Sequence, residues 1–305
     1  MTSLPPPSPG QAYMHVSALQ AGMLHLPTDF LVQGEKHGYK HCPSLAFFLR
    51  HSASDKHFIF DLGLRKDLES YPPAVRAHYL DTETAQMRTR CSVPQDVAES
   101  CLEGGVDPAT VEKVVISHLH FDHVGEHTPF TSATFILGGD GAATLADGYP
   151  ENPASYCLSA SVPVERTLFL NRTEHLTTPI GPFPLAYDLF ADGSAYIIDT
   201  PGHCPGHVTL LVRTSAAGNW LYLGGDIAHD TRLLTDADTD IALTTESGVA
   251  CCVHRDPAQA RVDIARARQL VKLPGVEFLI AHDWKWFEDN LENAFLPKQF
   301  VPRKL

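Results

Sequence analysis

A chain of 305 residues with 44% hydrophobic and 19% charged content has the make-up of a globular enzyme and the length for one large α/β domain. Its 23 basic against 36 acidic residues give a net charge of −13, which excludes a phosphate backbone as a natural partner and so argues against nucleic acid. No apolar run is long enough to span a bilayer, so no membrane partner is expected.

In chain order, residues 1–12 are rich in proline and serine and predict a loose arm. They carry neither the basic head nor the apolar stretch of a secretion signal. The seven cysteines (Cys42, Cys91, Cys101, Cys157, Cys204, Cys251, Cys252) are odd in number and sparse, which predicts reduced thiols in a cytoplasmic protein. The adjacent Cys251 and Cys252 read as packing residues rather than a redox pair. The apolar positions from Val16 to Leu31 suggest an opening strand pair. Two further strands, Ser44 to Leu49 and His57 to Gly63, are joined by a polar turn at 52–56. Asp61 at the end of the second is either a turn cap or a carboxylate that orients a ligand histidine. Tyr71-Pro72-Pro73 breaks the mixed stretch 64–105, and Pro94 to Glu103 reads as a helix.

Val111 to Ile116 is a β-branched run that predicts a buried strand. Directly after it comes Ser-His-Leu-His-Phe-Asp-His-Val-Gly, residues 117–125, which sets His118, His120, Asp122 and His123 in an H-x-H-x-D-H pattern. Alternate positions share a side of a strand, so His118 and His120 are placed to face one ion, with Asp122 and His123 facing a second. Imidazole with carboxylate suits zinc, and also manganese or iron, better than copper(I).

Ala133 to Leu137 is another strand, with a short helix opening at Ala142. Residues 146–193 hold many prolines and glycines and read as one irregular stretch, either a pocket-forming insert or a surface decoration. Strands follow at 195–199, 208–212 and 220–223, then a helix from Pro257 to Lys272 with Asp256 as its N-cap, then a strand at 276–280. Each of these strands ends near a candidate ligand: His203 in Thr-Pro-Gly-His-Cys-Pro-Gly-His, Asp226 after Gly224-Gly225, and His282 in Ala-His-Asp. Strands of one sheet end side by side, so ligands distant in sequence can meet at one rim. No repeat or linker divides the chain, which predicts a single domain over 1–305.

The order H-x-H-x-D-H, His, Asp, His resembles the metallo-β-lactamase superfamily over roughly Ser44 to Trp286. That resemblance implies an α/β fold, the four-layer αβ/βα sandwich, with two zinc ions per chain at the sheet edges. By the same resemblance His118, His120 and His203 hold the first metal, Asp122, His123 and His282 the second, and Asp226 bridges them. The 200–207 segment is similar to that of acyl-homoserine lactonases. True β-lactamases commonly use Cys in place of Asp226, and diiron oxygen reductases use Glu in place of His120. Glyoxalase II adds a basic C-terminal domain, and nuclease members add basic surfaces that this acidic chain lacks.

Lactonases of that group place a tyrosine three residues after the bridging aspartate, where this chain has His229. Fungal members of the group open rings such as benzoxazolinone, and some cleave thioesters. The resemblance therefore implies a hydrolase for a small cyclic ester, amide or carbamate, a lactone or lactam, with Asp122 moving a proton and His229 contacting the oxyanion. A metal-dependent thioesterase and a non-catalytic metal-binding module are the alternatives. A homodimer is common in the group. His207 reads as a supporting residue rather than a ligand. The pocket is expected to take its shape from 146–193 and from the region of Trp284 and Trp286, unless those tryptophans only pack the last strand.

Overall fold

The computed structural model describes residues 3–54, 56–80, 91–246 and 249–302. Two six-stranded sheets form its frame. The first runs in sequence order through Met14–Leu19, Ala46–His51, His57–Phe60, Lys113–Val115, Thr134–Gly138 and Thr167–Leu170. Its first three strands are antiparallel and the rest join in parallel. The second runs through Thr178–Ile180, Phe183–Asp188, Ala195–Asp199, Val208–Arg213 and Trp220–Leu223, all antiparallel. Val276–Leu279 adds itself in parallel at the edge.

Alternation along the strands decides how the sheets stack. Phe47, Leu49, Phe58 and Phe60 enter a core shared with Ile197, Leu210, Val212, Leu221 and Leu223 of the other sheet. Their neighbours Ala46, Phe48 and Ile59 face away, onto Val97 and Cys101 of the helix Val97–Glu103. On the second sheet Leu211, Trp220 and Tyr222 turn outward to Ile264, Ala267 and Leu270 of the helix Pro257–Leu270. A sheet covered on both faces needs apolar residues at both parities, which is why Val208–Arg213 is buried throughout. The layers are helix, sheet, sheet, helix: the expected αβ/βα sandwich.

The two outer helices start as their sequences dictate. Asp96 accepts the Glu99 N–H at 2.9 Å while the Glu99 carboxylate accepts the Asp96 N–H at 3.2 Å, a reciprocal cap. Asp256 accepts from the Ala258 and Gln259 N–H groups, with Pro257 in the first helical position. Such a cap contributes about 1 kcal/mol. The second helix also presses on the loop before Val208. A Cβ at Gly202 would collide with the Ala260 backbone, so only glycine permits this contact.

Three expectations need correction. The strands Met14–Leu19 and Met23–Pro27 form but do not pair with each other. The first pairs with Ala46–His51, the second with Tyr39–Pro43 in a small sheet completed by Cys91–Ser92. Both partners lie on one stretch of chain, so the ribbon bends at Gly22 (φ 96) and divides between two sheets. Residues 146–193 are not one irregular stretch. Thr167–Leu170 and Thr178–Ile180 are edge strands of the two sheets, and Phe183–Asp188 lies next to the second edge. Pro179 and Pro184 fit because the register shifts between Thr178 and Ile180, and a shifted edge tolerates missing N–H donors.

The arm is also not loose over its described part. The buried Arg213 guanidinium lies 4.1 Å from the Trp220 ring centre and donates to the Pro5 carbonyl at 2.7 Å and the Pro6 carbonyl at 3.2 Å. Met1, Thr2, Asp55 of the polar turn, 81–90 of the mixed stretch and the Cys251 side chain lie outside the described residues. Among those described, no helix is long and apolar enough to cross a membrane.

Candidate metal centre

The ends of four strands open at one rim of the sandwich. Lys113–Val115 leads into the turn bearing His118, His120, Asp122 and His123. Ser44 Oγ donates to the Asp122 carbonyl, and the Leu62 N–H donates to the His123 carbonyl at 2.8 Å, so the turn is pinned from the neighbouring strands. His203 stands in the loop between Ala195–Asp199 and Val208–Arg213, Asp226 after Trp220–Leu223, and His282 after Val276–Leu279. All seven predicted ligands and His229 meet here.

Asp226 lies between two groups of nitrogens. Its Oδ2 is 3.5 Å from His203 Nε2 and 3.7 Å from His118 Nε2, while His203 Nε2 lies 3.0 Å from His120 Nδ1. Its Oδ1 is 3.2 Å from His282 Nε2 and 3.3 Å from His123 Nε2, and both of these nitrogens are 3.6 Å from Asp122 Oδ2. His229 Nε2 is 3.1 Å from Asp226 Oδ2.

The outward nitrogens are tied down. His123 Nδ1 meets Asp61 Oδ2 at 2.9 Å, and Asp61 also accepts the Ser117 N–H at 2.6 Å and the Ser117 hydroxyl at 2.8 Å. Of the two readings of Asp61, the ligand-orienting one matches this geometry. His282 Nδ1 donates to the Pro43 carbonyl at 2.8 Å. His207 Nδ1 faces Thr200, and its Nε2 accepts the Asp226 N–H at 3.1 Å, so it supports the centre without joining it.

Electrostatics divide the rings. Burial, then the neighbouring imidazoles, hold His118 and His203 well below the usual histidine range. They are neutral, as ligands must be. Burial pushes His123 down as well, but Asp226, Asp122 and Asp61 overcome it and raise the ring well above its ordinary value. His282 is raised by Asp226 in the same way, against its own burial, so at these two rings a bound cation would take the place of the proton that the carboxylates favour. Burial pushes Asp226 up, but His123, His282 and His229 reverse this and hold it well below the carboxylate range.

His118 Nε2, His123 Nε2 and Asp226 Oδ1 are buried without a hydrogen-bond partner. Leaving one such group unpaired costs about 1–3 kcal/mol. Cations between them remove that cost. Ligand atoms of His118, His120, His203 and Cys204 lie within 4.8 Å of one another, as do those of Asp122, His123 and His282. The set fits two divalent ions.

Above this floor lies a cavity of about 750 Å³. Tyr79 stacks on Phe121 (ring centres 5.0 Å apart, 24° between planes), and Tyr156 meets Tyr79 edge-on at 5.9 Å. Leu24, Leu26, Phe30 and Leu31 line it too, with Arg255 as its one arginine among the described residues. Trp284 and Trp286 do not line it. Trp286 packs on Phe47 and Phe295, and Trp284 on Phe287 and His41. From 146–193 only Asp147 and Ser155 to Cys157 reach the cavity.

The sequence reading missed His254, which is 2% exposed and lies 3.3 Å from His203, Nδ1 to Nδ1. It belongs to no motif, and the three-residue strand before it, Val249–Cys251, is too short to read from the sequence, so spacing gave no signal. It missed the Leu24–Leu31 wall for a different reason, since those residues sit far from the ligands in sequence.

Residues 95–215 match the family model of the metallo-beta-lactamase superfamily. The gamma-lactamase MBL2 of Gibberella moniliformis is 34% identical over 173 residues, 56% of this chain and 70% of that protein. The metallo-hydrolase mfmC of Annulohypoxylon moriforme is 34% identical over 242 residues, 76% of this chain and 62% of that protein. The chain spans 62% or less of the length of the first curated relatives it matches. An N-acyl homoserine lactone hydrolase solved with N-hexanoyl-L-homoserine shares the fold, with a TM-score of 0.69 at 18% identity over 94% of this chain and 98% of that one. This chain belongs to the metallo-beta-lactamase superfamily.

Proposed function

We propose that the chain is a two-zinc hydrolase that opens the ring of a lactone or lactam. The observation that carries this reading is the division of Asp226, one oxygen toward His118 and His203, the other toward His123 and His282, at the floor of a large cavity. Relatives described as gamma-lactamases support the substrate class.

His118, His120 and His203 would hold one ion, Asp122, His123 and His282 the other, and Asp226 both. Zinc is the first choice, with manganese or iron(II) compatible with the same donors. When bound, the ions supply Lewis acidity and a water acidic enough to be deprotonated near neutral pH. The protein residues do the rest. His229, at the cavity floor, would turn the Nε2–H that it gives Asp226 in the free chain to the carbonyl oxygen as that oxygen gains charge. Asp122, at the same floor, can carry a proton to the departing oxygen or nitrogen, which stays tethered in the opened product. The aromatic wall of Tyr79, Phe121 and Tyr156 would stack on a flat or bulky substituent of the ring. The cavity is much larger than a single small ring requires.

We read the chain as one catalytic domain working in the cytoplasm. The six described cysteines, all unpaired, support a reducing compartment. A homodimer is the expected assembly, and light scattering on the purified chain would show it.

The test is product mass spectrometry on a matched lactone, lactam and acyl-thioester panel with zinc present. Addition of one water to a cyclic substrate, lost by at least a thousandfold in His118→Ala and Asp226→Ala, is the expected result, ~4 kcal/mol of transition-state stabilisation. Thioester cleavage alone would replace it with the thioesterase reading. Two bound metals without turnover on any substrate would point to a binding module.

A further inference from the structure

We infer that His254 is a positioning residue for His203, accepting a hydrogen bond from His203 Nδ1 and so fixing which nitrogen that ring turns inward. The inference rests on the two-metal reading above.

Three of the five ligand rings share one arrangement, whereas His120 turns Nδ1 inward, toward His203 Nε2. His118 turns Nδ1 to Ser117 Oγ at 3.0 Å, His123 turns Nδ1 to Asp61 at 2.9 Å, and His282 turns Nδ1 to the Pro43 carbonyl at 2.8 Å. Each keeps Nε2 for the interior. His203 follows them, with Nε2 toward His120 and Asp226 and Nδ1 toward His254. Its outward partner differs in kind. The other three rings meet oxygen, and His203 meets a second imidazole.

That difference has a chemical consequence. A neutral His203 that offers its Nε2 lone pair inward carries its proton on Nδ1. Two ring nitrogens at 3.3 Å form a hydrogen bond only if one of them is unprotonated. His254 Nδ1 is therefore the acceptor, and the His254 proton sits on Nε2. Backbone contacts hold His254 to this task. The Arg255 N–H donates to the His203 carbonyl at 2.7 Å, and the Asp256 N–H donates to the Gly202 carbonyl at 3.1 Å. Both directly follow His254 and dock its segment on the loop that carries His203.

The polarity continues one ring further. His229 Nε2 donating to Asp226 leaves His229 Nδ1 as a lone pair. His254 Nε2 and His229 Nδ1 are both buried and unpartnered, on rings 5.4 Å apart. The N–H of one ring thus stands beside the lone pair of the next. One tautomer of His254 suits both the ligand His203 and the cavity residue His229.

The experiment uses the full chain loaded with zinc. Nitrogen-15 imidazole correlation spectra read the tautomers, and competition with a chromophoric chelator reads zinc affinity in the unmutated chain, His254→Leu and His254→Gln. The expected spectra place protons on His203 Nδ1 and His254 Nε2. His254→Leu is expected to weaken one of the two zinc ions by about 10- to 100-fold. His254→Gln, whose carbonyl can accept the same proton, recovers most of that loss, which a purely space-filling role would not produce. A proton on His254 Nδ1, or unchanged zinc affinity in His254→Leu, overturns the inference and leaves the two-metal reading standing. An unmutated chain that binds no zinc overturns both. If the leucine variant does not fold, the spectra of the unmutated chain decide alone.

Discussion

Asp61 stands at φ 64, a left-handed conformation accepted readily by glycine and, among other residues, best by asparagine and aspartate. Its carboxylate uses that backbone to reach the Ser117 N–H, the Ser117 hydroxyl and His123 at once. Asparagine keeps the backbone and removes the charge. Asp61→Asn is expected to fold normally and to bind the second zinc about 10- to 100-fold more weakly, read by chelator competition. Equal affinity would show that the carboxylate merely caps the turn. At this scale the sequence was informative where chemistry is dense. His118 to His123 lie within six positions, whereas His203, Asp226 and His282 gained meaning only as strand ends in a set order. His254 was invisible because its role depends on a contact across 51 residues, in a segment with no periodicity.

The helix Pro257–Leu270 was legible in full, from its aspartate cap to its apolar face, because capping and periodicity are local. What the sequence did not reveal is that Asp263 on this helix reaches back to accept the Gly202 N–H at 3.0 Å, beside the His203 loop. Burial pushes this carboxyl up to about 6, with Gln259, Gly202 and Arg266 pulling the other way. A folded value above the unfolded one of about 3.9 means that the neutral form suits the fold. The stability contributed is therefore full below about pH 4, falls as pH rises through about 6, and is constant above. Asp263→Asn lacks this titration, so its melting temperature relative to wild type is expected to be higher at pH 7.5 than at pH 4.5. A difference that does not change with pH would refute the assignment. The edge strands were hidden for the opposite reason: Pro179 erased the alternation of Thr178–Ile180, and Thr167–Leu170 is only four residues long and carries no clear alternation.

Taken as a whole, the molecule divides its ligands between its two sheets. The first supplies His118, His120, Asp122 and His123, the second His203, Asp226 and His282, and the core of Phe47, Phe58, Ile197 and Leu210 joins the two. Individual strands were legible from their apolar runs, but the two-sheet plan followed only from the family resemblance that the ligand order carries. The bend at Gly22 that sends one ribbon into two sheets was not legible, since nothing local distinguishes it from a hairpin. Zinc bound across the seam would favour the folded chain by mass action, so on the two-zinc reading stripping it with a chelator is expected to lower the melting temperature by several degrees, about 2.7 kcal/mol for a ligand held at a hundred times its dissociation constant. An unchanged melting temperature would show that the folded chain holds no metal at this centre.

The divided ownership of the ligands also has a temporal side. Neither sheet alone offers the full ligand set of either proposed ion, so each excursion in which the halves part would be a moment of escape. Metal loss then counts those excursions, as a leak counts the openings of a valve. With enough scavenger in solution its rate would stop rising and settle at the frequency with which the sandwich breathes.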